Sequence, residues 1–149
     1  MPADGPLDIL LVEDNKYDEK LTLRALRRHN LANNIQIARD GAAALEAIFV
    51  DALAPKIILL DIKLPKVDGL EVLRRIRADN RTATQPVVML TSSSEKSDID
   101  AAYALGANSY IVKPVDFQGF ADAIRDLGVY WLLLNQSPDP TGPEAAGDS

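Results

Sequence analysis

The chain has 149 residues, 47% of them apolar, with a formal net charge of −6 and no cysteine. That is core enough for one domain. The missing cysteines exclude disulfides and thiolate chemistry, and the acidic balance speaks against nucleic acid or an anionic membrane as partner. MPADGPLD lacks the basic start and apolar stretch of a signal peptide, and no apolar run reaches the length of a membrane span, so the cytoplasm is the expected compartment.

Residues 1–6 form a short Pro/Gly-rich flexible start, the ordered body is expected over 7–134, and residues 135–149 (NQSPDPTGPEAAGDS) read as a disordered tail without large apolar or basic side chains. Within the body, LDILLV (Leu7 to Val12) is a nearly continuous apolar run, the pattern of a strand buried on both faces. NNIQIA (Asn33 to Ala38) alternates and suits an edge strand. A helical face follows, with Leu45, Ile48, Phe49 and Ala52 at i, i+3, i+4 spacing behind an Asp40-Gly41 turn. KIILLD (Lys56 to Asp61) is the third strand. Asp68-Gly69 then introduces a helix that carries Val72, Leu73 and Ile76 on one face. PVVML (Pro86 to Leu90) and SYIVK (Ser109 to Lys113) read as further buried strands, separated by a weaker helix from Ser97 to Leu105 that stops at Gly106. Asp116 is placed as the N-cap of the last helix.

Five strands alternating with five helices make an α/β fold with a parallel sheet, and right-handed crossovers leave few topologies. In such sheets the site lies beyond the carboxyl ends of the strands, at a topological switch point. Glu13 and Asp14 follow the first strand, Asp61 ends the third, Thr91 and Ser92 follow the fourth, and Lys113 closes the fifth. Singly, an acid after a strand is more simply explained as a cap on the next helix. The coincidence of three carboxylates, a hydroxyl and an ammonium on one sheet edge is not so explained.

Three gathered carboxylates repel: at ~5 Å and an effective dielectric of ~20, each ionised pair costs on the order of 3 kcal/mol. Lys113 supplies one positive charge, but an oxygen-ligated divalent ion fits better. Mg²⁺ takes one or two carboxylates together with water and a phosphate oxygen. Such a cluster beside a Thr and a Lys suits phosphoryl transfer, in which positioning and charge neutralisation do most of the catalysis.

The segments LLVEDN, IILLDIKLPKVDGLEVL, VVMLTSSSE and GANSYIVKPVDF, in this order, resemble the receiver domains of two-component response regulators over nearly all of Leu7 to Leu134. The resemblance implies a flavodoxin-like (βα)5 fold of strand order 2-1-3-4-5. It also implies a phosphorelay role in which Asp61 accepts a phosphoryl group from a histidine kinase. Glu13 and Asp14 then look like the Mg²⁺-holding pair, completed by Asp61 and the backbone carbonyl of Lys63. Thr91 and Lys113 match the groups that grip the phosphoryl oxygens, Tyr110 matches the switch aromatic, and Lys113-Pro114 matches a bond usually cis in the family. The ending VYWLLLNQSP and DIKLPKVDGLEVL look most like single-domain regulators paired with bacterial phytochromes, which implies a light-sensing kinase as donor.

Lys63 and Ser93 flank the site and are either modulators of phosphoryl lifetime or simply solvated loop residues. His29, the only histidine, reads as an ordinary cation at a helix end with no phosphodonor role. In the last helix, Phe117, Phe120, Ile124, Leu127, Trp131 and Leu134 form a sheet-facing stripe. Val129, Tyr130, Leu132 and Leu133 are then left over, an apolar excess that points to a homodimer through this helix, with Trp131 beside them. No effector domain follows, so the expected output is a protein contact or onward phosphotransfer. Two other classes compete. A phosphatase with an Asp nucleophile would need a second acid two residues on, where Lys63 stands. A phosphorylation-independent receiver-like module would not need the full set of acids, Thr and Lys found here. The chain is therefore expected to be a phosphoacceptor that catalyses only its own phosphorylation, not an enzyme acting on other substrates.

Overall fold

The computed structural model describes residues 7–28, 34–114 and 116–126. Three strands, β1 (Ile9–Val12), β3 (Ile57–Leu60) and β4 (Val87–Thr91), are buried along their whole length. Strands with no exposed face belong at the centre of a sheet covered on both sides. β2 (Ile35–Ala38) and β5 (Ser109–Val112) form the edges, and the five run parallel in the order β2-β1-β3-β4-β5. This is the flavodoxin-like arrangement expected above.

Side chains alternate along each strand, so every strand feeds two layers. Ile9, Leu11, Ile57, Leu59, Val88 and Leu90 face one layer and meet Leu26 of α1 (Lys16–Arg28) and Phe120 of α5 (Phe117–Asp126). Leu10, Val12, Ile58, Leu60, Val87 and Met89 face the other. There they meet Ala44 of α2 (Gly41–Leu45), Val72, Leu73 and Ile76 of α3 (Gly69–Ala78), and Ala102 of α4 (Lys96–Ala104). Each buried aliphatic side chain stabilises by about 1.5–3 kcal/mol over exposure, so these layers, not the charged edge, hold the fold.

The turn signals work as read. Asp40, Asp68 and Asp116 accept hydrogen bonds from the N–H groups of Ala43 (2.7 Å), Glu71 (3.1 Å) and Gly119 (2.7 Å), capping α2, α3 and α5. The helix after β4 stops at Gly106, whose φ of 101° suits glycine. The Lys113-Pro114 bond is cis.

Two expectations are corrected. SYIVK is not a buried strand: β5 is an edge with only β4 beside it, its first three residues are half-buried, and Val112 is 42% exposed. The face assigned to Leu45, Ile48, Phe49 and Ala52 also fails at its far end. After α2 the chain continues as a π-turn over Glu46–Val50, and the Asp51 N–H bonds to the Glu46 carbonyl at 2.9 Å. The wider turn adds a residue and breaks the 3.6 spacing. The helical segment ends at Val50, so Ala52 lies beyond it, exposed at a φ of 56°, while Ile48 is buried and Leu45 and Phe49 pack partly buried against the core.

His29, residues 1–6, the apolar residues from Leu127 to Leu134 (among them Tyr130, Trp131, Leu132 and Leu133) and the tail at 135–149 lie outside the described residues. Among the described residues no helix is long and apolar enough to cross a membrane.

Candidate functional site

Parallel strands end on the same edge, and the ends of β1, β3, β4 and β5 bring the expected residues together. Glu13 leaves β1 1% exposed, Asp61 leaves β3 5% exposed, and Thr91 ends β4 fully buried. Asp14 is exposed at the rim. One carboxylate oxygen from each of Glu13, Asp14 and Asp61 lies within 4.8 Å of the others. Asp61 is held from behind by its backbone, where its N–H bonds to the Val12 carbonyl at 3.1 Å. Gly69 lets α3 start directly against it, since a Cβ there would fall 1.9 Å from the Asp61 carbonyl oxygen.

Lys113 reaches across from the end of β5. Its ammonium donates to Glu13 Oε1 at 2.8 Å, Asp18 Oδ2 at 2.8 Å and Asp61 Oδ2 at 3.1 Å. An ammonium has three N–H groups, and all three are committed to carboxylates. Burial alone would lower its pKa, but the bonds to Asp18 and Glu13 and the charge of Asp61 outweigh that and hold it above the ordinary lysine range.

One lysine does not neutralise this edge. Burial, chiefly, pushes Glu13 up to about 7, and the Asp61 charge adds to it. Hydrogen bonds from Lys113 and the Asn15 N–H offset part of the rise. Asp61 Oδ1 is buried and, among the described residues, has no hydrogen-bond partner. Buried polar atoms are nearly always paired, so an orphaned carboxylate oxygen within an acidic cluster marks the place of a missing positive partner. The donor set, hard carboxylate oxygens at close spacing, fits a small divalent ion such as Mg²⁺.

On the opposite flank Thr91 Oγ1 accepts from the Ser93 N–H at 3.3 Å, and Ser93 Oγ donates to Asp98 Oδ2 at 2.6 Å. Tyr110 donates its hydroxyl proton to the Ser93 carbonyl at 2.8 Å. Burial, ahead of the nearby charges of Asp98 and Asp61, raises its pKa, so the phenol stays a donor. Ser93 is thus tied to Thr91, Asp98 and Tyr110 rather than free in a loop. Lys63 stands exposed two residues past Asp61.

Asp18, missed in the sequence, joins the site from the first turn of α1. An acid there is the ordinary complement to a helix N-terminus, and nothing in its spacing distinguishes it. Asp98, in the first turn of α4, was missed for the same reason.

An acidic triad, a buried hydroxyl and a lysine on the carboxyl edge of a 2-1-3-4-5 sheet define a receiver-type domain. The family model described as the response regulator receiver domain matches residues 9–125, and the chain belongs to that family. It is 40% identical to the probable methanogenesis regulatory protein FilR2 of Methanothrix harundinacea, covering 94% of this chain and 93% of that protein. It is 35% identical to the response regulator Rcp1 of Synechocystis, over 87% of this chain and 92% of Rcp1. The solved Mn²⁺-bound form of Rcp1 superposes with a TM-score of 0.70 at 34% identity, over 89% of this chain and 98% of that one. The bacteriophytochrome response regulator RtBRR is 48% identical with a TM-score of 0.77, over 91% of this chain and 86% of that one.

Proposed function

We propose that the chain is a stand-alone response regulator that accepts a phosphoryl group on Asp61 from the phosphohistidine of a histidine kinase. The observation that carries this is Asp61 itself: a buried carboxylate clustered with Glu13 and Asp14, one oxygen on Lys113 and the other unpaired among the described residues. A carboxylate oxygen attacks phosphorus, an O–P bond forms, and the P–N bond breaks with its electron pair leaving on the imidazole nitrogen. The chain acts on its own Asp61 and turns over no other substrate.

Glu13, Asp14, Asp61 and the Lys63 carbonyl would hold Mg²⁺, a role supported by the donor set and by the Mn²⁺-bound form of Rcp1. The ion would offset the charge on the carboxylates and the transferring phosphoryl oxygens. Lys113 orients one phosphoryl oxygen. Thr91 turns its hydroxyl to another and so gives up the bond it accepts from Ser93. Ser93 also holds the Tyr110 hydroxyl through its carbonyl, so this step is felt at Tyr110, and the population shifts towards the signalling arrangement. Lys63, exposed beside Asp61, is a modulator of phosphoryl lifetime in this reading.

A phytochrome-type kinase is the proposed donor, on the strength of the 48% identity to RtBRR. A cytoplasmic location and a homodimer through Tyr130, Trp131, Leu132 and Leu133 complete the proposal. Sedimentation with and without beryllofluoride tests the dimer, and a monomer under both conditions overturns it. The central test is acetyl-phosphate labelling of wild type and Asp61→Asn in Mg²⁺. Label should appear on the wild type and vanish in the variant; persistent Mg²⁺-dependent label in Asp61→Asn rejects the assignment.

A further inference from the structure

Asp18 sits 95 residues from Lys113 in the chain, yet it accepts one of the three ammonium hydrogen bonds at 2.8 Å. Its place in α1 makes this unexpected. Asn15 caps the helix, accepting from the Asp18 N–H at 2.9 Å, so Asp18 holds the third helical position. An acid there normally reaches back to the N–H of the capping residue. Here that N–H, of Asn15, is taken by Glu13 Oε2 at 3.2 Å. The Asp18 carboxylate is thereby released from the capping role and directed into the site.

Asp18 also differs from the other two partners of Lys113. Glu13 and Asp61 belong to the close carboxylate cluster, and Asp18 does not. The Lys113 side chain is 6% exposed and that of Asp18 26% exposed, so the pair is partly shielded from water. We propose that Asp18 is a positioning residue: it anchors the Lys113 ammonium to α1 when Glu13 and Asp61 turn their oxygens to a divalent ion and a phosphoryl group. This rests on the phosphoacceptor reading of Asp61. Asp18 touches neither reactant and acts only through Lys113. When Asp61 becomes an acyl phosphate it loses an anionic oxygen, and the freed ammonium hydrogen turns to the phosphoryl group. The bond to Asp18 persists and keeps Lys113 from swinging towards solvent.

The test compares full-length wild type, Asp18→Ala and Asp18→Asn by two measurements. The first is the ¹⁵N-resolved NMR signal of the Lys113 ammonium in the metal-free protein. It should be protected from water exchange in wild type, less protected in Asp18→Ala, where only Glu13 and Asp61 still accept, and intermediate in Asp18→Asn, whose amide oxygen still accepts. The second is the rate of Asp61 labelling by acetyl phosphate in Mg²⁺, expected to be about tenfold slower in Asp18→Ala and intermediate in Asp18→Asn. A helix-terminus role alone would lower the melting temperature equally in both variants and leave both readouts at wild type. An unchanged ammonium signal in Asp18→Ala, or a wild-type labelling rate, overturns the proposal. Failure of wild type to label would reject the phosphoacceptor reading instead, while the ammonium signal would still decide the anchor. If Asp18→Ala does not fold, Asp18→Asn carries both measurements.

Discussion

Two buried aspartates stand at opposite ends of the sheet, Asp8 at the entry to β1 and Asp61 at the exit of β3, 7% and 5% exposed. Asp8 pairs through Oδ1 with Lys56 at 2.8 Å and accepts from the Asn34 N–H through Oδ2 at 3.0 Å. Each of its oxygens has a partner. Asp61 shares one lysine with Glu13 and Asp18 and, among the described residues, leaves Oδ1 without a bond. Equal burial thus hides opposite roles. An acid whose partners come from the fold contributes to the fold, whereas an acid left short of positive charge is built for something that arrives later.

Substitution at the two positions should separate these roles. The largest effect is expected at Asp61→Asn, which removes phosphoryl labelling altogether. It should also raise metal-free stability, because a buried charge next to Glu13 is gone; urea unfolding without Mg²⁺ measures this. A loss of stability would place Asp61 in the same class as Asp8.

Asp8→Asn should do the reverse. It removes the buried charge that pairs with Lys56 at 2.8 Å and is expected to cost about 2–3 kcal/mol in urea unfolding, with the labelling rate of Asp61 unchanged. A slowed labelling rate would show that the two ends are coupled through β1.

Mg²⁺ sharpens the contrast further. At about tenfold over its dissociation constant it should stabilise wild type and Asp8→Asn alike by about 1.4 kcal/mol, and Asp61→Asn by clearly less. Chelation with EDTA should reverse the gain. Equal stabilisation of all three would move the ion away from Asp61.

The smallest effect concerns a third acid, Glu71, half-buried on α3. Hydrogen bonds from Arg74 and Arg75 lower its pKa from 4.5 to about 2. The folded value lies below the unfolded one, so its contribution is present above about 4.5 and is lost as pH falls towards 2. Both arginine partners are exposed and water screens the pairs, so the contribution should be small. Wild type and Glu71→Gln should differ slightly in melting temperature near pH 6 and converge near pH 2; a constant gap across that range would refute the pairing.

Much of this was legible before folding. Continuous apolar runs marked β1, β3 and β4 because strands buried on both faces leave no polar positions. Asp40, Asp68 and Asp116 announced helix starts because capping is a local hydrogen bond between near neighbours. Local pattern failed where the helix ended early, at Val50 after a π-turn, and left Ala52 beyond it and exposed. It also failed for β5, whose apolar residues match a central strand although its position is an edge.

By itself the sequence determined which groups stand at the strand ends: Glu13, Asp14, Asp61, Thr91 and Lys113. Parallel strands then had to bring those ends to one edge. Only the tertiary structure decided which carboxylate oxygen finds no partner among the described residues, and that Asp18 shares Lys113 with Asp61 and Glu13. The reason is physical. A lysine with three N–H groups chooses its acceptors by distance, and those distances are set by how α1 and β5, 95 residues apart at Asp18 and Lys113, pack on the same sheet.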